Sequence, residues 1–281
     1  SIPALAARTY DGGQVVVEEF RYETDAYTQY AIAHTSDGIR VTSLMNIPRG
    51  EGPFPVVLVL HGGRDQSVYA QGDGTIDHAD YYARQGYLAL MPDYRSYNGT
   101  QGTGTPLKIP WAIDVMNLIA ALPTIPEADP SRIGVMGHSR GGGIASYVMV
   151  LSDDVDAVIL YAPLHTDQAV VWDAYHYTFG SSWPAFDAAI IGTPEENPEG
   201  YAMASPANYL NRIRMPVQIH HGTDDPILPA AWSRDLHTTM LDLGLVVEYY
   251  EYPGALHSFR GDDLQTFWQR NVAFFDRYVR P

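Results

Sequence analysis

The sequence has no cysteine, few basic residues and no long apolar run, and each of these absences excludes a class of function. Without cysteine, disulfides, thiolate metal sites and a cysteine nucleophile are all excluded. Lys and Arg number 17 against 33 Asp and Glu, so the net charge is −16 and nucleic acid and anionic membranes are disfavoured as partners. Apolar runs such as Val56 to Leu60 are far shorter than the roughly 20 residues that span a bilayer, so we expect no membrane span.

The length and composition are typical of one globular domain. Of 281 residues, 46% are hydrophobic and 18% charged, and a single α/β domain over residues 1–281 would bury a sizeable core. The chain begins at Ser1 rather than Met, which suggests that a leader or a tag was removed. With the acidic composition this favours a secreted or periplasmic bacterial protein, and a cytoplasmic location is the alternative.

The order of apolar patterns predicts a three-layer α/β sandwich. The first fifty residues indicate strands at 15–17, 27–35 and 41–47, which would form an antiparallel edge. From Pro53 onward, short continuous apolar runs alternate with helix-length segments, as in parallel strands buried on both faces. These runs lie at 56–60, 87–91, 133–136, 155–161, 217–220 and 246–250, and helices are predicted at 77–85, 113–122, 143–151, 230–244 and 262–279.

The segment 164–210 interrupts this alternation with an aromatic-rich stretch that shows no clear strand. Because long insertions in compact domains are usually functional, we interpret it as a small cap or lid over the site. The alternative is that its aromatic residues form only a satellite core. The candidate substrate-pocket residues in this segment are Trp172, Tyr175 and Trp183.

Gly137-His138-Ser139-Arg140-Gly141 matches the pattern G-x-S-x-G and lies between a predicted strand and a predicted helix. A sharp strand-to-helix turn strains the serine and leaves no room for side chains at the flanking positions, which explains the glycines Gly137 and Gly141. The turn would expose the Ser139 hydroxyl at a helix N-terminus, where developing negative charge is stabilised. Ser139 is therefore the candidate nucleophile.

An alcohol needs an imidazole to take its proton and a carboxylate to fix the imidazole tautomer. In this fold the order along the chain is Ser, Asp, His, each after a strand. His221-Gly222-Thr223-Asp224-Asp225 and Tyr252-Pro253-Gly254-Ala255-Leu256-His257 both follow predicted strands downstream of Ser139. His257 is the candidate base, and Asp225 or Asp224 is the candidate acid.

These motifs resemble the catalytic domain of the prolyl oligopeptidase family of α/β-hydrolases, from about Tyr27 to the C-terminus. The similarity rests on H-G-T-x-D followed by Pro229, on the turn ending at His257, and on Leu60-His61-Gly62-Gly63 and Asp93-Tyr94-Arg95. It implies that the acid is Asp225, the fifth residue of the H-G-x-x-D string, with Asp224 as the alternative. Full-length members carry a β-propeller before this domain, and only 52 residues precede Pro53, so we expect the resemblance without a propeller.

The loop after the first parallel strand, His61-Gly62-Gly63-Arg64, is where this fold places one amide of the oxyanion hole. We expect the Gly63 or Arg64 amide there, the Arg140 amide as the second donor, and a structural role for His61. No cofactor or metal is expected: Gly99 to Gly104 does not fit a nucleotide-binding loop, and 73–77 is better explained by a helix cap than by calcium.

The pattern as a whole predicts a serine hydrolase that acts through an acyl-enzyme on a small-molecule ester. We expect a carboxylesterase on small to medium esters, because the aromatic insertion favours an apolar pocket. The alternative is an oligopeptidase or aminopeptidase, for which the acidic residues Glu195, Glu196 and Glu199 could bind a substrate amino group or could simply be solvated surface. A non-catalytic receptor with the same fold is a third reading, although such proteins commonly lose a triad member and all three are present here. The sequence gives no indication of oligomeric state.

Overall fold

The computed structural model describes residues 1–104, 107–178 and 183–280, without the side chains of residues 177, 178 and 183. Within these residues the chain forms a sheet of nine strands in the order β1-β2-β3-β5-β4-β6-β7-β8-β9. The strands are β1 (Val16–Glu23), β2 (Tyr27–Ser36), β3 (Ile39–Pro48), β4 (Phe54–Leu60), β5 (Leu88–Pro92), β6 (Ala128–His138), β7 (Ala157–Tyr161), β8 (Val217–Gly222) and β9 (Val247–Tyr252).

The first three strands are antiparallel to their neighbours, and β3 also pairs antiparallel with β5. From β5 onward the sheet is parallel through β4, β6, β7, β8 and β9. The predicted parallel sheet with an antiparallel N-terminal edge is therefore confirmed. The carboxyl ends of the parallel strands meet at one edge, where ligands bind in open α/β sheets.

Helices cover both faces of the sheet. The helices are α1 (Ile2–Ala7), α2 (Ile76–Arg84), α3 (Ile109–Ala121), α4 (Arg140–Leu151), α5 (Gln168–Asp173), α6 (Trp183–Ile191), α7 (Pro198–Ala204), α8 (Ala230–Asp242) and α9 (Gly261–Tyr278). One apolar core joins the sheet to α1, α3, α4 and α8, and a second joins its other face to α2 and α9. This arrangement is the predicted three-layer sandwich.

The predicted elements are present, with differences at their ends. Helix α3 begins at Ile109 rather than residue 113, because proline is tolerated in the first turn and Pro110 occupies it. Helix α4 begins at Arg140 rather than residue 143, since the turn at Ser139 starts the helix at once despite three glycines. Strand β6 begins five residues earlier than predicted, and helix α1 was not predicted.

The inserted segment 164–210 is helical where it is described. It contains α5, a π-helical turn (Ala174–Thr178), α6, α7 and a 3₁₀ segment (Pro206–Arg212). Trp172 packs with Leu107, Tyr201 and Ala204 in a small satellite core. Within the described residues, no helix is long and apolar enough to cross a membrane.

Candidate active site

Ser139 lies at the sharp turn between β6 and α4. Its φ of 58° and ψ of −118° are in a region that residues with side chains rarely adopt. The turn is held by backbone hydrogen bonds: the Ser139 amide donates to the Tyr161 carbonyl at 2.8 Å, and the Ser139 carbonyl accepts from the Gly143 and Leu164 amides, each at 3.1 Å. The surrounding strands therefore stabilise a backbone conformation that would be strained in isolation.

The glycines around Ser139 are required by close backbone contacts. A Cβ at Gly137 would lie 2.3 Å from the Gly141 carbonyl oxygen, and a Cβ at Gly141 would lie 2.1 Å from that of Leu60. Backbone atoms cannot move aside as a flexible side chain could. The two glycines of the G-x-S-x-G motif are therefore required because α4 packs closely against the ends of β4 and β6.

Asp225 and His257 come together from the loops after β8 and β9. Nδ1 of His257 lies 2.6 Å from Oδ2 of Asp225, whose side chain is fully buried, and the His257 side chain is 11% exposed. A carboxylate can only accept, so Nδ1 carries the proton and Nε2 keeps its lone pair. Asp224, the alternative acid, is exposed and accepts from the Thr223 hydroxyl at 3.0 Å.

The buried Asp225 carboxylate accepts four N–H groups. Oδ1 accepts from the Ile227 amide at 2.8 Å and the Leu228 amide at 3.0 Å, while Oδ2 faces both His257 and His221. Burial alone would raise the pKa of Asp225, but these hydrogen bonds outweigh it and hold the pKa well below its usual range. The side chain is therefore an anion near neutral pH and can stabilise an imidazolium at His257.

His221 is a further partner of this carboxylate that was not predicted as part of the site. Its Nε2 lies 3.1 Å from both Asp225 Oδ2 and the Leu228 carbonyl oxygen, and its Nδ1 lies 2.7 Å from the Ser233 hydroxyl. Because a carbonyl only accepts, Nε2 carries a proton that it directs at Asp225. His221, the first residue of the H-G-T-D-D string, thus orients the Asp225 carboxylate. Its place in the same string, four residues before Asp225, is the sequence signal that could have identified it.

His138, next to the nucleophile, was also not predicted as part of the site. Its Nε2 donates to the His257 carbonyl at 2.9 Å, and its ring stacks on Tyr161 at 4.2 Å. Burial, with a smaller effect of the neighbouring His257, lowers the pKa of His138 to about 3, so the ring is neutral. This hydrogen bond fixes the His257 loop directly to the turn that carries Ser139.

Ser139 and His257 line one cavity of about 310 Å³, here called the Ser139 cavity. Gly63 and Arg64, the predicted oxyanion loop, line it as well, and so do the apolar side chains of Leu164, Ile227 and Leu228. Arg140 is the first residue of α4, where backbone amides have no acceptor within the helix. Its buried guanidinium donates to the Gly62 carbonyl at 3.1 Å and to the Tyr97 hydroxyl, so it connects the predicted oxyanion loop to α4.

The predicted pocket residues separate in the structure. Tyr175 lines the Ser139 cavity, whereas Trp172 lines a smaller cavity of about 20 Å³ behind it, which Tyr175 also borders. The Trp183 side chain lies outside the described part of the chain. His61, predicted to be structural, lies 2.8 Å from the Gly62 carbonyl and 3.2 Å from the Asp93 carbonyl through its two ring nitrogens.

The acidic residues considered for a peptidase lie apart from this site. Glu195, Glu196 and Glu199 are exposed, and none of them lines the Ser139 cavity. Glu196 instead accepts from the Thr193 amide at 3.0 Å, which closes a turn on the surface of the insertion. These residues therefore lie on the surface, outside the Ser139 cavity.

A mostly parallel sheet with a strained serine turn at its carboxyl edge defines an α/β-hydrolase. The model of the dienelactone hydrolase family matches residues 41–279, so the chain belongs to that family and is a hydrolase.

Relatives of the chain include proteins named as peptidases and as esterases. The uncharacterized peptidase YtmA of Bacillus subtilis is 26% identical over 87% of this chain and 93% of its own length. Esterase FrsA of Shigella boydii is 29% identical over 77% of this chain and 52% of its own length. Among solved structures, the acylaminoacyl peptidase of Pyrococcus horikoshii has a TM-score of 0.70 at 21% identity, over 92% of this chain and 42% of that chain. The resemblance to the prolyl oligopeptidase family is thus confirmed for the fold of the hydrolase part.

Proposed function

We propose that the protein is a serine carboxylesterase that acts on small to medium esters, with Ser139 as nucleophile, His257 as general base and Asp225 as the acid. The observation that carries the proposal is the 2.6 Å contact between His257 Nδ1 and the buried Asp225 carboxylate, which leaves Nε2 as a proton acceptor in the cavity of Ser139. Hydrolases of this type need both the strained serine and an oriented neutral imidazole.

In the first half of the reaction, Ser139 Oγ attacks the ester carbonyl while His257 Nε2 takes the hydroxyl proton. The Arg140 amide and the Gly63 or Arg64 amide donate to the oxyanion that forms. His257 then gives its proton to the alcohol oxygen as the carbon–oxygen bond breaks. The alcohol leaves, and an acyl group remains on Ser139.

In the second half, His257 takes a proton from water as the water attacks the acyl carbonyl. The same amides donate to the second oxyanion, and the proton returns to Ser139 as the acid departs. Asp225 stays ionised throughout because its four N–H donors stabilise the anion, and it offsets the positive charge on His257 in both halves.

Ester substrates are favoured by the walls of the Ser139 cavity. Leu164, Ile227 and Leu228 give it apolar surface, which suits an alkyl or acyl chain. Esterase FrsA is among the relatives. The glutamates that an aminopeptidase subsite would use lie on the surface of the insertion rather than in the cavity.

Peptide hydrolysis is the second candidate, since YtmA is named as a peptidase and aligns over most of both chains. The same triad would cleave an amide, with His257 protonating a leaving amine instead of an alcohol. This candidate changes the substrate and leaves the roles of Ser139, His257 and Asp225 as they are.

The test is a parallel screen of p-nitrophenyl esters from acetyl to dodecanoyl and of aminoacyl p-nitroanilides, with Ser139→Ala as the control. We expect ester turnover that the substitution abolishes, with negligible anilide cleavage. Efficient anilide cleavage would overturn the ester assignment. A fluorophosphonate probe should label wild type and not Ser139→Ala; an unlabelled wild type would contradict a serine mechanism.

A further inference from the structure

A second cavity of about 240 Å³ adjoins the Ser139 cavity and shares Arg64, His138 and Ser258 with it. We call it the His78 cavity, after the histidine on α2 that lines it together with Trp268 of α9. Nothing in the proposed mechanism uses this space or these two side chains. Because the His78 cavity adjoins the Ser139 cavity, part of a substrate bound at Ser139 can extend into it.

The protonation state of His78 is fixed by Trp268. The indole nitrogen of Trp268 donates to Nδ1 of His78 at 2.8 Å, and an indole nitrogen can only donate. Nδ1 therefore holds a lone pair, and the ring proton of neutral His78 is on Nε2. Burial lowers the pKa of His78 to about 4, so the ring is neutral at ordinary pH. His78 is consequently a hydrogen-bond donor through Nε2.

Within the described residues, the Nε2–H of His78 has no hydrogen-bond partner, although the residue is only 9% exposed. The Nε2 atom is accessible to solvent in the cavity, where an acceptor atom of a ligand can take the place of water. A mostly buried donor of fixed tautomer in the wall of a cavity is a site for an acceptor atom of a ligand.

The His78 cavity adjoins the loop that carries His257. Ser258 and Phe259, the residues after His257, line it, and His138, which also lines it, bonds the His257 carbonyl. His257 must give its proton to the alcohol oxygen, so the alcohol portion of the ester has to lie on the His257 side of Ser139.

We infer that the His78 cavity binds the alcohol portion of the substrate and that His78 donates a hydrogen bond from Nε2 to a second oxygen on that alcohol. The inference rests on the proposed esterase function and names its substrate class: esters of alcohols that carry a further hydroxyl group. The other polar residues of the cavity suit neutral hydroxyls, because Arg64 donates while Asp73 and Asp77 accept. Those two carboxylates would repel an anionic group.

The test compares matched ester series on the intact chain. Acetate esters of ω-hydroxyalkanols with two to six carbons are measured against n-alkyl acetates with the same number of heavy atoms, as ratios of kcat/KM. Wild type should prefer the hydroxyalkyl ester roughly 3- to 10-fold at one chain length, the selectivity that one neutral hydrogen bond supplies. A ratio near one at every length would overturn the inference.

Three variants separate the hydrogen bond from a structural effect. His78→Leu removes the donor and should bring the ratio to about one. His78→Gln keeps an N–H near the position of Nε2 and should retain part of the preference, so equal ratios in the two variants would overturn the assignment. The matched control is His237→Leu on α8, whose ring packs on Tyr249 away from both cavities and which should keep the wild-type ratio.

Failure of this inference differs from failure of the proposed function. If wild type hydrolyses both series equally and Ser139→Ala hydrolyses neither, the esterase assignment stands and the role of His78 is wrong. If wild type hydrolyses neither series, the proposed function itself is wrong. Thermal unfolding of each variant shows whether a changed ratio comes from a folded protein.

Discussion

Replacing Asp225 with asparagine should nearly abolish hydrolysis while leaving the shape of the site unchanged. Asp225 accepts two backbone amides through Oδ1 and two histidine N–H groups through Oδ2. An asparagine has one acceptor oxygen, and the Ile227 and Leu228 amides are held in place by the loop. Its oxygen should therefore stay with these amides, and its NH₂ group should face the histidines.

That arrangement places two donors against each other unless His257 changes tautomer. With Nδ1 as the acceptor of the new NH₂ group, the proton of neutral His257 moves to Nε2, the nitrogen that must accept from Ser139. In a Ser-His-Asp triad the wrong tautomer lowers kcat by roughly 10⁴-fold. We expect a loss of this size in kcat for p-nitrophenyl acetate, with KM changed by no more than about 3-fold because the substrate does not contact Asp225.

The neighbouring carboxylate supplies the matched control. Asp224→Asn makes the same chemical change at an exposed side chain one residue earlier, which accepts from the Thr223 hydroxyl, and kcat should stay within about 2-fold of wild type. The reasoning is refuted if Asp225→Asn keeps more than a tenth of kcat, or if Asp224→Asn loses as much as Asp225→Asn.

Three further predictions concern stability. Gly141→Ala should lower the free energy of unfolding by about 3 kcal/mol in urea denaturation, because its Cβ would lie 2.1 Å from the Leu60 carbonyl oxygen; an unchanged midpoint would contradict this. Asp114→Ala should lower the free energy of unfolding by about 3–5 kcal/mol in the same assay. The Arg95 guanidinium lies 2.7 Å from the Asp114 carboxylate in wild type, and the substitution leaves it buried without a counter-charge. Burial lowers the pKa of His61 from the ordinary histidine value of about 6.5 to about 3, so its contribution to stability is complete above pH 6.5 and is lost as the pH falls toward 3. His61 should therefore lower the free energy of unfolding by about 1.4 kcal/mol for each unit that the pH falls between about pH 6 and pH 5. A flat profile in that range would show that the buried His61 ring does not stay neutral.

The sequence was most informative where one residue's environment is set by its neighbours in the chain. The strained turn at Ser139 needs glycines at fixed offsets, so G-x-S-x-G between a strand and a helix identifies it. The choice of Asp225 over Asp224 came instead from the resemblance to the prolyl oligopeptidase family, and in the structure it is the Asp225 carboxylate that lies 2.6 Å from His257 Nδ1. Parallel strands buried on both faces are likewise visible in the sequence, as short continuous apolar runs.

Contacts between distant segments left no such signature. His221 contacts Ser233 on α8 as well as Asp225, and His138 contacts the His257 carbonyl, 119 positions away in the chain. The separation of Trp172 from the Ser139 cavity depends on how the insertion packs, which periodicity does not specify. The tautomer of His78 depends on Trp268, which lies on a different helix and 190 positions away.

The proposed catalytic groups and part of the cavity wall come from different segments of the chain, so the two can change separately in evolution. The proposed catalytic groups come from loops at the ends of β4, β6, β8 and β9. In the turn after β6, the glycines that flank Ser139 leave no space for larger residues. Part of the wall around them comes from the insertion between β7 and β8, which reaches the Ser139 cavity through Tyr175. If the proposed esterase function holds, we expect mutations in the insertion to change which substrates fit while the proposed triad stays intact, so a library for changing specificity should be concentrated there.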